Sequence, residues 1–132
     1  MSDVFDGIHP ALKAKITQVL TAMAALNCPM RVCQGVRTAE QQQDLYAQGR
    51  SLPGKIVTNA DGFKVKSNHQ VHADGFGHAV DCCFMTGEPF GEKQPWSLYG
   101  AAVKAVGLNW GGSWTSFQDR PHAELPDGTP LA

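Results

Sequence analysis

Apolar positions recur at helical spacing near the start of the chain, at Leu12, Ile16, Val19, Leu20 and Met23, while Lys13, Lys15 and Gln18 fall mostly between them. Pro10 suits a first helical turn, so the pattern predicts an amphipathic helix from Pro10 to about Asn27. The segment Met30-Arg31-Val32-Cys33-Gln34-Gly35-Val36 alternates apolar and polar residues until a glycine interrupts it, which predicts a short strand. Thr38 is placed to cap a second helix from about Ala39 to Gln48, with Gly49 beyond its end. Ala79 to Phe84 has the pattern of a buried strand carrying one acid, Trp96 to Val106 that of a third helix stopped by Gly107, and Pro121 to Leu125 that of an extended segment. Between Ser51 and Gly77, Pro53-Gly54, Asn59-Ala60-Asp61-Gly62 and Ala73-Asp74-Gly75 punctuate a long turn-rich region of the kind that carries function. Helices first and short strands later predict an α+β fold, helices packed on a short, mainly antiparallel sheet, and not alternating βαβ units.

A chain of 132 residues supports one core and not two, and neither a repeat nor a Pro-, Gly- or Ser-rich linker divides it, so a single domain over residues 1–132 is expected. Eleven Lys+Arg against twelve Asp+Glu exclude a strongly basic nucleic-acid footprint and give no reason for attraction to an anionic membrane. No stretch reaches the roughly 18 to 20 apolar residues of a membrane span. The start Met-Ser-Asp-Val-Phe-Asp lacks the basic and apolar regions of a secretory signal, which predicts a protein made in the cytoplasm. Cys28, Cys33, Cys82 and Cys83 cannot be written as a two-by-two CxxC zinc framework, so reduced, small apolar side chains are expected.

The chemistry concentrates late in the chain. His69, His72, Asp74, His78 and Asp81 crowd into one loop and the strand it enters, and His122 stands ready in a distant segment. Imidazole and carboxylate suit zinc, and a catalytic zinc needs only three protein ligands. Asp119, three positions before His122, adds a carboxylate of the kind that takes a proton from an attacking water and returns it to a leaving amine.

Ser67-Asn68-His69, Gly77-His78-Ala79-Val80-Asp81 and Asp119-Arg120-Pro121-His122 resemble, in order, the motif pieces of the zinc D,D-carboxypeptidase and L,D-endopeptidase superfamily. Gly35 to Gln41, Leu45 to Arg50 and Trp110-Gly111-Gly112-Ser113-Trp114 extend the resemblance from about Gly35 to Leu125, and narrow it to phage endolysins that are L-alanyl-D-glutamate endopeptidases. The resemblance implies that His69, Asp81 and His122 bind Zn2+, that Asp119 is the catalytic base, and that Arg37 holds the substrate carbonyl or the oxyanion formed on it. It further implies a peptidoglycan stem peptide as substrate and a monomer that needs neither nucleic acid nor stable membrane association. No separate wall-binding domain is expected, and the protein would wait in the host cytoplasm before reaching the wall. A D,D-carboxypeptidase of the same superfamily and a non-catalytic zinc- or peptidoglycan-binding module are the alternatives, and Asp119 argues against the second.

Two features depart from the compact motif. Twelve positions separate His69 from Asp81, which requires an insertion before Gly77 and leaves His72 as a rival first ligand. Ala123 stands where related endolysins often carry an aromatic residue. His78, three positions from Asp81 on a strand, is expected on the opposite face, outside the ligand set. Trp110 and Trp114 are either core or groove walls, with core the more common fate of large aromatics in a small domain.

Overall fold

In the computed structural model, which describes residues 4–115 and 118–127, the periodic segment near the start forms helix α1, Pro10–Ala25. Leu12, Ile16, Val19 and Met23 are buried along one stripe of it, as the 3.6-residue period requires. The His9 ring caps its start by accepting from Ala11 N at 3.0 Å, and Asn27, at φ 63°, turns the chain beyond its end. Strand β1, Met30–Gln34, follows, then α2, Ala39–Ala47, which opens on a reciprocal pair of bonds between Thr38 and Gln41. Strand β2 is Ala79–Phe84 and helix α3 is Trp96–Ala105, with Gly107 at φ 85° after it. The chain closes with β3, Asn109–Trp110, a 3-10 turn over Gly111–Ser113, and β4, His122–Glu124.

The strands form one sheet in the order β1-β2-β4-β3, every pairing antiparallel. Val32 of β1 and Val80, Cys82 and Phe84 of β2 meet Leu12, Ile16 and Val19 of α1 and Tyr99 and Val103 of α3 in one apolar cluster. Helices α1 and α3 therefore cover one face of the sheet, and strand alternation sends Asp81 and Cys83 to the other. This is the expected α+β architecture. Tyr99 Oη donates to the Pro121 carbonyl at 2.8 Å, which ties α3 to the start of β4. The four cysteines are free thiols, Cys82 and Cys83 buried in the sheet. No helix among the described residues is long and apolar enough to cross a membrane.

Candidate active site

Register builds the site. Asp81 on β2 lies directly opposite His122 on β4 and Gln34 on β1, so three polar side chains share the sheet face that the helices leave open. Glu124, two residues beyond His122 on the same strand, points to the same side. His69 arrives from the long loop and is held there by main chain: Arg37 N donates to the His69 carbonyl at 2.8 Å, and His69 Nδ1 contacts the Gly35 carbonyl at 3.0 Å.

His69, Asp81 and His122 converge so that one donor atom from each lies within 4.8 Å of the others. His69 Nε2 is 3.4 Å and His122 Nδ1 3.6 Å from Asp81 Oδ1, and the two ring nitrogens face each other at 3.2 Å. The outer atoms decide what the inner ones are. A carbonyl only accepts, so His69 Nδ1 carries the proton and Nε2 presents a lone pair inward. His122 Nε2 donates to Glu124 Oε1 at 2.6 Å, and Glu124 Oε2 in turn accepts from Asn68 Nδ2 at 2.7 Å, leaving His122 Nδ1 to face the site. Asp81 Oδ1 is buried there without a hydrogen-bond partner. Two ring nitrogens and an orphaned carboxylate oxygen around one point call for a cation, and the N,N,O donor set suits zinc.

Charge at the site follows the same logic. Burial opposes ionisation of Asp81, but the His122 and His69 imidazoles outweigh it and hold its carboxyl well below the usual carboxylate range. Burial also opposes charge on His122, yet the neighbouring Asp81 carboxylate and the bond to Glu124 push its pKa up to about 9.

Asp119 Oδ2 lies 3.7 Å from His122 Nδ1, at the rim of the cluster and partly open to water. Its carboxyl is pushed above the ordinary aspartate value, first by desolvation and then by the Asp81 charge. Asp119 N donates to the Gly111 carbonyl at 3.0 Å and the Asp119 carbonyl accepts from His122 N at 3.1 Å. A Cβ at Gly111 would collide with that Asp119 carbonyl, so the residue must be glycine for the turn to press against the acid. Arg37 is buried, with Nη1 donating to Gln42 Oε1 and Nη2 to Gln34 Oε1, each at 2.7 Å, and Nη2 3.6 Å from Asp81 Oδ2. These groups line a cleft of about 1010 Å³.

The structure puts His69, not His72, beside Asp81. Residues 71–77 form a small hairpin, His72 N bonding the Phe76 carbonyl, and the His72 ring stacks on His78 at 3.8 Å, away from the cluster. His78 Nε2 donates to Asp74 Oδ2 at 2.6 Å, and with His9 these make a second His/Asp group. That group is a poor metal site, because His9 Nδ1 accepts from Ala11 N and its Nε2 must therefore carry the proton. Trp110 is half-buried against the apolar cluster and over Gly100, as expected for core, whereas Trp114 departs from that expectation: it is 36% exposed, lines the cleft and sits 4.8 Å from the His122 ring. Glu124, Gln34, Gln42 and Asn68 were not among the candidate site residues read from the sequence. The register of β1 and β4 against β2 is what brings Gln34 and Glu124 in, and no local pattern encodes it.

Residues 61–125, which contain His69, Asp81, Asp119 and His122, match the sequence profile of the D-alanyl-D-alanine carboxypeptidase family. The peptidoglycan L-alanyl-D-glutamate endopeptidase CwlK of Bacillus subtilis (strain 168) is 29% identical over 122 residues, covering 89% of this chain and 73% of CwlK. The L-Ala D-Glu endopeptidase ChiX of Serratia marcescens has a crystal structure similar at TM-score 0.64 and 25% identity, covering 93% of this chain and 84% of that one. The vancomycin-resistance D,D-pentapeptidase VanY, solved in complex with Zn(II), shares the fold at TM-score 0.62 and 16% identity over 89% of this chain and 72% of its own. Fold and matched segment together define a peptidase. The chain is similar to the D,D-carboxypeptidases and L,D-endopeptidases in its matched segment and in its fold.

Proposed function

We propose that this chain is a zinc-dependent peptidoglycan endopeptidase that hydrolyses the L-alanyl-D-glutamate bond of the stem peptide, acting as a single catalytic domain in bacterial lysis. The observation that carries the reading is the convergence of His69 Nε2, His122 Nδ1 and the unpartnered Asp81 Oδ1, with Asp119 at the rim. His69, Asp81 and His122 hold the metal. When bound, zinc supplies a Lewis acid for the scissile carbonyl and lowers the pKa of the attacking water toward ~7.

The remaining steps belong to the chain's own side chains. Asp119 accepts a proton from the attacking water, a role its raised affinity for protons favours, and returns it to the departing amine when the tetrahedral intermediate collapses. Arg37 faces the oxyanion, and because Gln34 and Gln42 hold it through neutral amides its positive charge is not cancelled from that side. Glu124 keeps His122 in the tautomer that presents Nδ1. The resemblance to CwlK and ChiX supports the L-Ala–D-Glu bond, while the matched family profile keeps a D,D-carboxypeptidase as the second reading. Incubation with a defined stem pentapeptide separates them. The proposal predicts a product with amino-terminal D-glutamate, whereas release of free terminal D-alanine assigns the second reading.

A further inference from the structure

One wall of the cleft carries a positive charge that no acid among the described residues meets. The segment 54–60, which would otherwise be a free loop, is stitched to the end of α2: Gln48 Nε2 donates to the Lys55 carbonyl at 2.9 Å, and Gln42 Nε2 to the Ala60 carbonyl at 2.9 Å. Arg50, stacked 3.8 Å over the Tyr46 ring, donates to the Thr58 carbonyl and Asn59 Oδ1, both at 3.1 Å. Gly49 completes the seam, since a Cβ there would press on Ile56 N at 2.7 Å. The wall so fixed presents Lys55, Ile56 and Val57 to the cleft, which the exposed apolar rings of Phe90 and Trp114 also line.

A charge ledger of the lining singles out Lys55. The other cation, Arg37, lies 3.6 Å from Asp81, and the anions Asp81 and Asp119 both belong to the histidine cluster. Lys55 makes no ion pair among the described residues, and the exposed wall around it is itself basic, with Arg50, Lys55, Lys64 and Lys66 against Asp61 over residues 50–66. Asp61 does not compensate, because its Oδ1 is spent on the backbone N–H groups of Phe63, Lys64 and Val65. A cleft with apolar sides, a reactive floor and one unmet cation on a rigid wall selects a substrate carrying a carboxylate near the bond to be cut.

We propose that Lys55 is a specificity-determining residue that receives the free carboxylate of the glutamate next to the scissile bond. This rests on the endopeptidase reading above: a glutamate that uses one carboxyl to continue the chain keeps the other free, and conversion of that group to an amide removes the charge without changing its size. The enzyme therefore prefers the acid form of the stem peptide over its carboxamide.

The test compares two synthetic stem peptides, alike except for that carboxylate or carboxamide, with the full chain and with Lys55→Gln and Lys55→Arg. The full chain should favour the acid by about five-fold in kcat/KM, chiefly through KM, the size expected of an exposed ion pair. Lys55→Gln should bring the ratio to about one, Lys55→Arg should keep it, and 0.5 M salt should shrink it in the full chain. A ratio in Lys55→Gln equal to that of the full chain, or an unmodified chain indifferent to the carboxylate while cleaving both peptides, overturns the assignment of Lys55 and leaves the endopeptidase reading standing. Cleavage of neither peptide by the full chain overturns both.

Discussion

Replacing Glu124 by glutamine isolates the support behind His122 in the proposed metal centre. Glu124 serves two donors at once, His122 Nε2 through Oε1 at 2.6 Å and Asn68 Nδ2 through Oε2 at 2.7 Å. An amide of the same shape has one acceptor oxygen, so one donor must face an NH2 group, and the bond to His122 loses its ionic character even if the oxygen turns toward it. Exchanging a charge-assisted bond for a neutral one costs about 1 to 2 kcal/mol, and the site is only 14% exposed at Glu124, so water replaces little of it. That energy corresponds to a ~10-fold loss of zinc affinity, at the lower end of what outer-shell partners of ligand histidines contribute. Competition against a chromophoric chelator measures it directly, with a thermal melt of the metal-free protein to separate folding from binding. Zinc affinity of Glu124→Gln within two-fold of the parent would refute the claim that Glu124 sets the His122 tautomer.

Three further outcomes follow from the same geometry. Asp119→Asn should keep stoichiometric zinc and lose at least ~100-fold in kcat; a variant of near-normal rate removes the base role. His69→Ala should abolish tight zinc binding while His72→Ala leaves it intact, read by metal analysis after dialysis, and the opposite pattern would show that the wrong histidine faces the site in solution. In metal-free protein the raised His122 pKa means that its contribution to stability, up to ~3 kcal/mol, is fully present below about pH 6.5 and is lost as pH rises through about 9. Denaturant titrations should show that decline, and zinc-saturated protein, in which metal replaces the proton, should not; equal pH dependence with and without zinc contradicts it.

The elements were legible where a local rule governs them. Helix α1 follows from the spacing of Leu12, Ile16, Val19 and Met23, α2 from the Thr38 cap and Gly49 beyond its end, and β2 from an apolar run interrupted by one acid. Ends moved by a residue or two, because the predicted β1 runs on to Val36 whereas the register shift between Val32 and Gln34 ends the ladder at Gln34. Strand β3, only Asn109–Trp110, was too short to carry an alternation and was not anticipated. Of the site, the residue types that meet at the cluster were visible in the motif pieces, but their partners were not. Gly35 under His69, Gln34 and Gln42 around Arg37, and Asn68 behind Glu124 are joined by strand register and loop closure, which single-chain spacing does not report. The insertion after His69 illustrates the difference: sequence showed that extra residues were there, and the structure shows that they fold into a hairpin whose His72 stacks on His78 beside His9, away from the cleft.

The most direct test of the central claim is digestion of purified peptidoglycan by the zinc-loaded chain, the chelated chain, and the chelated chain with zinc restored, reading new amino termini and fragment masses. The account predicts amino-terminal D-glutamate that appears with zinc, vanishes on chelation and returns when zinc is added back. Cleavage that persists unchanged in metal-free protein, or zinc-loaded protein that frees no new terminus from the wall, would contradict it.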